Sequence, residues 1–221
     1  MTVVLAVAFD QQAIVATDRS HFDGHGVRTC DYERKRARFD RVLVGIAGLL
    51  KIAGRDTLSR IQDAVGAGGD LDPLTDRIRV QLQRSLQAEE QVTPLAARFL
   101  TVIVTGPLAP SRGGIRRVRF FPVAAEQPDQ VGSIATEVDV TDPPKPRGWA
   151  CRAGGEPGAA VEAERFIRAA LRGRGSFQHG PLRLLVACAI DAAVRKSGPH
   201  ENPAFHGQIA CCGAATMVGY Q

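Results

Sequence analysis

Thr2, Asp18 and Lys35 are the residues whose chemistry and spacing point to a reaction. Removal of Met1, as aminopeptidases carry out when the second residue is small, leaves a hydroxyl and a new α-amine on one residue. The hydroxyl is a weak nucleophile until a base takes its proton. An α-amine with an ordinary pKa of about 7.7–8.0 titrates close enough to neutrality to serve as that base. An N-terminal threonine therefore supports nucleophilic catalysis without a histidine. Many chains begin Met-Thr ahead of a strand, so the dipeptide gains weight only from its companions. These are Asp18, which closes the stretch Ala16-Thr17-Asp18, and Lys35, inside the basic run Arg34 to Arg38. A solvated strand edge protected by charge is an equal reading for Lys35 and the better one for the arginines of the run.

Two strands must bring these groups together. Val3 to Phe9 is an unbroken apolar run rich in β-branched residues, and Ala13 to Thr17 is a second, with Asp10-Gln11-Gln12 as a polar reversal between them. If the turn centres near Gln11, residues whose numbers sum to about twenty-two face each other. Asp18 then lies opposite Val4, one diagonal step from Thr2. After Lys35 comes a third apolar strand, Arg41 to Gly48.

The order of strand, turn, strand ending in Ala-Thr-Asp, then Lys35 with Phe39 four residues on, then Val42-Leu-Val-Gly-Ile-Ala-Gly48, resembles the proteasome β-type subunits. It is most similar to the bacterial HslV peptidase and its betaproteobacterial proteasome homologues, and the likeness in motif covers roughly the first sixty residues. The resemblance implies a threonine-type endopeptidase subunit of a self-compartmentalising homo-oligomeric double ring. Such a ring takes unfolded polypeptides or peptides, with an ATP-dependent unfoldase as a partner in some systems, and uses no cofactor or metal. It assigns Thr2 as nucleophile and, through its freed amine, as base, with Lys35 lowering the hydroxyl's pKa through its nearby charge and Asp18 holding that lysine charged and oriented. Gly48 would be the oxyanion donor through its backbone N–H, and Ser197, in the pair Ser197-Gly198, would belong to the supporting set. Ile46 would stand at the mouth of the first specificity pocket, and His21 and Phe22 would meet substrate through their backbone. Two family groups are missing: Ala153 occupies the place of a serine in Arg152-Ala153-Gly154, and Val194 the place of an aspartate before Ser197. They leave open an impaired ring or scaffold subunit, and a small-molecule amidase of the same nucleophile class is a third reading.

Beyond Gly48 the pattern changes period. Leu50, Ala53, Leu58, Ile61 and Val65 predict an amphipathic helix ending at Gly66, and Asp72-Pro73 opens a second with the stripe Leu74, Ile78, Leu82 and Leu86. Ala97 to Thr105 and Ile115 to Val123 predict strands, the second with Arg116, Arg117 and Arg119 on a solvated face. A polar, proline-rich insertion follows near 124–147, stiffest at Asp142 to Pro146. Trp149 to Gly154 reads as a strand. A helix over Ala159 to Leu171, another from Pro181 to Ser197, and a small-residue strand over Gly207 to Thr216 complete the chain. Strands, two helices, strands, two helices and a strand make an α+β chain, the four-layer αββα sandwich of N-terminal nucleophile hydrolases, with residues 1–221 as one domain.

Composition narrows the classes. With 221 residues, 44% of them hydrophobic, the chain can bury a sizeable core. Net charge is +5, and aromatic content of 5% is too sparse for base-stacking platforms, so nucleic acid is not an expected partner. No apolar run of about eighteen residues and no charged leader precede the first strand, which predicts a cytoplasmic protein off the membrane. Cysteines 30, 151, 188, 211 and 212 form no C-x-x-C pair and read as small buried hydrophobes. His21, Asp23 and His25 lie in a loop with no third strong ligand nearby, so no metal site is expected. Gly154 to Gly158 has no lysine for a phosphate loop.

Overall fold

The computed structural model describes residues 3–9, 12–18, 21–22, 28–30, 35–39, 41–66, 70–88, 98–109, 112–124, 132–143, 148–172, 179–197 and 214–219. The first apolar run forms β1 (Val3–Phe9) and the second forms β2 (Gln12–Thr17), joined through positions 10 and 11 alone. This short connection sets the register. Val4 faces Thr17 and Ala8 faces Ala13, so Asp18 comes opposite Val3, one residue nearer the chain start than the expected Val4. Both faces of β1 are covered, which explains its unbroken hydrophobicity: Val3, Leu5 and Val7 face one helical layer, while Val4, Ala6 and Ala8 face a second sheet.

Short β3 (His21–Phe22) and β4 (Arg28–Cys30) pair with each other. They are followed by β5 (Arg36–Phe39) and β6 (Val42–Gly48), then by a small hairpin of β7 (Lys51–Ile52) and β8 (Arg55–Asp56). The hairpin corrects the helix expected from Leu50. Ala53 and Gly54 both take positive φ, 49° and 73°, the turn that suits a two-residue β-hairpin, and the apolar spacing there only imitates a helix. Helix α1 (Thr57–Val65) starts after it, with the Asp56 carboxylate accepting from Ser59 N at 2.8 Å as its cap. Helix α2 (Leu71–Gln87) buries its expected stripe of Leu74, Ile78, Leu82 and Leu86 completely.

Strands β9 (Leu100–Ala109) and β10 (Arg112–Val123) form a long hairpin that takes in much of the expected connection, with a bulge beside Gly113. The proline-rich insertion is not all loop, since Ser133 to Thr141 forms β11 along β10. Alternation puts Ile134 in the core beneath α2, whose Gln83 and Gln87 bond the Ile134 backbone. Of Arg116, Arg117 and Arg119 on β10, only Arg119 lies on a solvated face, at 43% exposed. Arg116 is 3% exposed and ion-paired with Asp72 and Asp142, while Arg117 pairs with Asp139 and Arg119 with Glu137. Acidic residues from distant segments neutralise them.

Strand β12 (Trp149–Gly155), helix α3 (Pro157–Leu171), helix α4 (His179–Ser197) and strand β13 (Ala214–Gly219) finish the chain. The last strand starts later than expected, and Cys211 and Cys212 lie outside the described residues. Sheet order is β12-β1-β2-β13 in one layer and β11-β10-β9-β6-β5 in the other. Helices α1 and α2 cover the second sheet and α3 and α4 the first, giving four layers, α-β-β-α, with three hydrophobic cores between them. On the outer strand β12, Glu164 and Arg117 bond the Ala153 N–H and C=O, and Arg168 bonds the Cys151 C=O. Side chains therefore occupy an edge that would otherwise recruit another strand. Among the described residues no helix is long and apolar enough to cross a membrane.

Candidate active site

The ends of β1, β2, β5 and β6 converge at one end of the sandwich. Asp18 follows the last residue of β2 and is 4% exposed, and Lys35 precedes the first residue of β5 and is 1% exposed. Lys35 Nζ donates to Asp18 Oδ2 at 3.0 Å, while Val3 N donates to Asp18 Oδ1 at 2.7 Å. Asp18 N in turn donates to Val3 O at 3.2 Å. One buried carboxylate thus ties a buried ammonium to the residue after Thr2. Burial pushes the Asp18 carboxyl above its ordinary value, and the Lys35 ammonium and the Val3 amide pull against that rise. The pair is fixed by its setting: Lys35 O accepts from Ile46 N at 2.8 Å, binding the start of β5 to β6.

Two glycines allow the layers to meet closely here. A Cβ on Gly45 would stand 2.4 Å from a Val4 methyl and 2.6 Å from a Val15 methyl, and one on Gly154 would stand 2.4 Å from the Thr101 methyl. Gly48 has φ of 105°, and a Cβ there would reach 2.3 Å from Phe99 O. Successive N–H groups of a strand alternate sides, so Gly48 N–H points as Ile46 N–H does, toward the β5 side, just beyond where β5 begins. That is a backbone donor aimed into the end of the sandwich where Lys35 lies.

The remaining sequence-derived residues fall differently. Thr2 lies outside the described residues. His21 and Phe22 form β3, and Ser197 is the last residue of α4; only their backbone is described. Ile46, expected at a pocket mouth, is fully buried in the core under α1 and α2. Ala153 is also fully buried, against α3 and α4, and Val194 packs into that same core. Among the described residues no group of His, Cys, Asp and Glu is arranged to hold a metal. A groove of about 660 Å³ lined by Asp63, Asp76, Arg77 and Arg84 runs along α1 and α2, on the elements that cover the outer face of the β5–β6 sheet. It is shaped by surface helices and holds none of the groups discussed above.

Sequence reasoning missed the Val3 amide as a partner of Asp18 and the close-packing roles of Gly45 and Gly154. Glycine in the middle of an apolar strand was the available signal for the latter.

This architecture is the proteasome β-type, HslV-like fold, a four-layer α-β-β-α sandwich. Among solved structures, eukaryotic HslV from Trypanosoma brucei is similar at 15% identity and a TM-score of 0.52, over 98% of this chain and 99% of that one. The Thiobacillus denitrificans protein designated BPH is similar at 18% identity and a TM-score of 0.58, over 100% and 99%. No family model matches the sequence, and no curated protein does. What is shared at these identities is the fold.

Proposed function

We propose that the chain is a threonine-type endopeptidase subunit of a self-compartmentalising ring, acting through Thr2 once Met1 is removed. The observation that carries this reading is the buried Asp18–Lys35 pair, tethered through Val3 N to the residue next to the nucleophile. An ammonium kept out of water beside the chain start has little structural reason to be there, since a buried ion pair contributes weakly to net stability. It has a chemical reason if a neighbouring hydroxyl must lose a proton.

Thr2 Oγ attacks the carbonyl carbon of a peptide bond while its proton passes to the free Thr2 amine. The Lys35 ammonium favours the developing alkoxide, and Asp18 holds that ammonium in place. The carbonyl oxygen becomes an oxyanion facing Gly48 N–H. As the C–N bond breaks, the proton moves from the Thr2 amine to the leaving nitrogen, leaving an ester on Oγ. Water then adds to the ester, gives a proton to the same amine, and releases a carboxylic acid and the regenerated hydroxyl. Substrates would be unfolded polypeptides or peptides selected by enclosure in a homo-oligomeric double ring, with an ATP-driven unfoldase as partner and the cytoplasm as location.

Ala153 supports a second reading, a slow or impaired ring subunit. Its position offers no hydroxyl to a terminal amine, and its backbone groups are taken by Glu164 and Arg117. One experiment separates the two. Intact mass with and without a peptide epoxyketone, whose warhead needs both the threonine hydroxyl and its free amine, should show loss of Met1 and one adduct. Retained Met1, or peptide hydrolysis that persists in Thr2→Ala, rejects the mechanism.

A further inference from the structure

Resting on the peptidase reading, we propose that Thr57 is a positioning residue for the oxyanion donor: its hydroxyl holds the Leu49 carbonyl, and through it the Gly48 conformation that aims the Gly48 N–H. Thr57 is the first residue of α1 and is fully buried. Its hydroxyl donates to Leu49 O at 2.9 Å, and its backbone N–H donates to Leu50 O at 2.9 Å. The two residues that follow Gly48 are thus both gripped by one threonine, eight positions beyond Leu49 in the sequence.

The hairpin of β7 and β8 brings Thr57 there. Lys51 pairs with Asp56 and Ile52 with Arg55, so the chain doubles back over Ala53 and Gly54 and delivers Thr57 opposite Leu50. The hairpin is fastened to the helix it precedes. Arg60 Nε and Nη2 donate to Ile52 O at 3.2 and 2.8 Å, and the Asp56 carboxylate accepts from Ser59 N at 2.8 Å. Leu58 and Ile61 hold that helix in the core above the sheet, so Thr57 is a fixed point.

Gly48 is where the fixed point acts. Strand β6 runs in register beside β9, and just past it Leu49 N–H reaches Phe99 O at 3.2 Å. The Leu49 carbonyl is turned onto Thr57, and a Gly48 φ of 105° accompanies that turn. Glycine permits this conformation but does not enforce it. Successive peptide planes are joined only through φ and ψ, so fixing Leu49 at both its N–H and its C=O fixes the Gly48 dihedrals. Without the hydroxyl, the carbonyl of half-buried Leu49 has lost its donor, and turning to find another re-aims Gly48. A misaimed donor costs more against developing charge than against bound substrate.

Thr57→Val keeps the shape and removes the donor, and Thr57→Ser keeps the donor. On an internally quenched peptide, Thr57→Val should lower kcat roughly tenfold, less than the roughly 100-fold or more for losing an oxyanion donor outright, with KM within about twofold. Affinity for a peptide aldehyde, whose tetrahedral adduct puts an oxygen at the oxyanion position, should fall by the same factor as kcat/KM. Binding of the uncleaved peptide to Thr2→Ala should be the same with and without Thr57→Val. Thr57→Ser should bring kcat back to within about threefold of wild type. A purely structural role would weaken aldehyde and substrate alike. An unchanged kcat in Thr57→Val, a loss carried by KM, or no recovery in Thr57→Ser overturns the assignment. Should Thr57→Val not fold, Thr57→Cys, with its weak S–H donor, carries the comparison: a kcat several-fold below Thr57→Ser supports the assignment and an equal kcat overturns it. A wild type that neither cleaves peptides nor forms the aldehyde adduct removes the peptidase reading and this assignment together, whereas an active wild type beside an indifferent Thr57→Val removes the assignment alone.

Discussion

Replacing Lys35 by methionine removes one charge of a buried pair and leaves the other. Asp18 would keep the Val3 amide at 2.7 Å but lose the ammonium at 3.0 Å, at a position 4% exposed. Breaking such pairs costs about 3–5 kcal/mol. Protonation sets a ceiling on the loss. Neutralising an aspartate of ordinary pKa about 3.9 costs about 4 kcal/mol at pH 7 and about 1.5 kcal/mol at pH 5, and the folded chain can always take that route. In the variant the folded-state pKa of Asp18 lies above its unfolded value. The associated stability is therefore fully present below about pH 3.9 and is lost as pH rises through the folded pKa. Lys35→Met should thus lose about 3 kcal/mol near pH 7 and no more than about 1.5 kcal/mol near pH 5. On a chain of 221 residues the neutral-pH loss corresponds to a fall in Tm of roughly 6–12 °C. Urea unfolding at one protein concentration and both pH values reads it, and Asp18→Asn/Lys35→Met should recover most of the loss. A neutral-pH cost below about 1 kcal/mol, or one that does not shrink on acidification, would refute the argument that the two charges depend on each other in the interior.

Gly48→Ala should destabilise by about 1–3 kcal/mol by thermal melt, because its φ of 105° and the contact with Phe99 O leave no room for a methyl; a melt within a degree or so of wild type would contradict the backbone reading. Gly45→Ala should cost a similar amount by overpacking against Val4 and Val15, and should also lower epoxyketone labelling. Arg116 and Arg117 hold the Asp72 and Asp139 carboxyls below the ordinary 3.8, so the stability they lend is present above that value and lost as pH falls through the depressed one. Arg117→Met should flatten the acid limb of a stability–pH profile, and an unaltered limb would discount the pairing. Burial pushes the Cys151 thiol up to about 11 while Cys188 is exposed, so peptide mapping after native iodoacetamide treatment should find Cys188 alkylated and Cys151 untouched until denaturation.

The hairpin was legible because Val3 to Phe9 has no polar interruption, yet its register was not. A shift of one residue depends on the length of the turn, and Gln12 reads equally well as turn or strand. Helix α2 was legible from a four-residue stripe alone, whereas the start of α1 was hidden by a hairpin whose apolar residues fall at helical spacing. Lys35 stands among Arg34, Arg36 and Arg38, a context in which composition speaks for the surface. Only the family likeness set it apart, and the fold buries it to 1% exposure. Arg116 misled for the opposite reason. Its partners Asp72 and Asp142 come from a helix start and a strand end, and no local pattern announces them.

Gly45 and Gly154 determine how thick the molecule is at its working end. A methyl group at either position would act as a shim, tilting one slab of strands against the other and opening a wedge between the lysine and the start of the chain. The tolerance of any reaction at that spot is therefore set partly by two hydrogens on α-carbons, well away from any reactive atom. Drift in such a lineage could disable the chemistry without altering a single polar group.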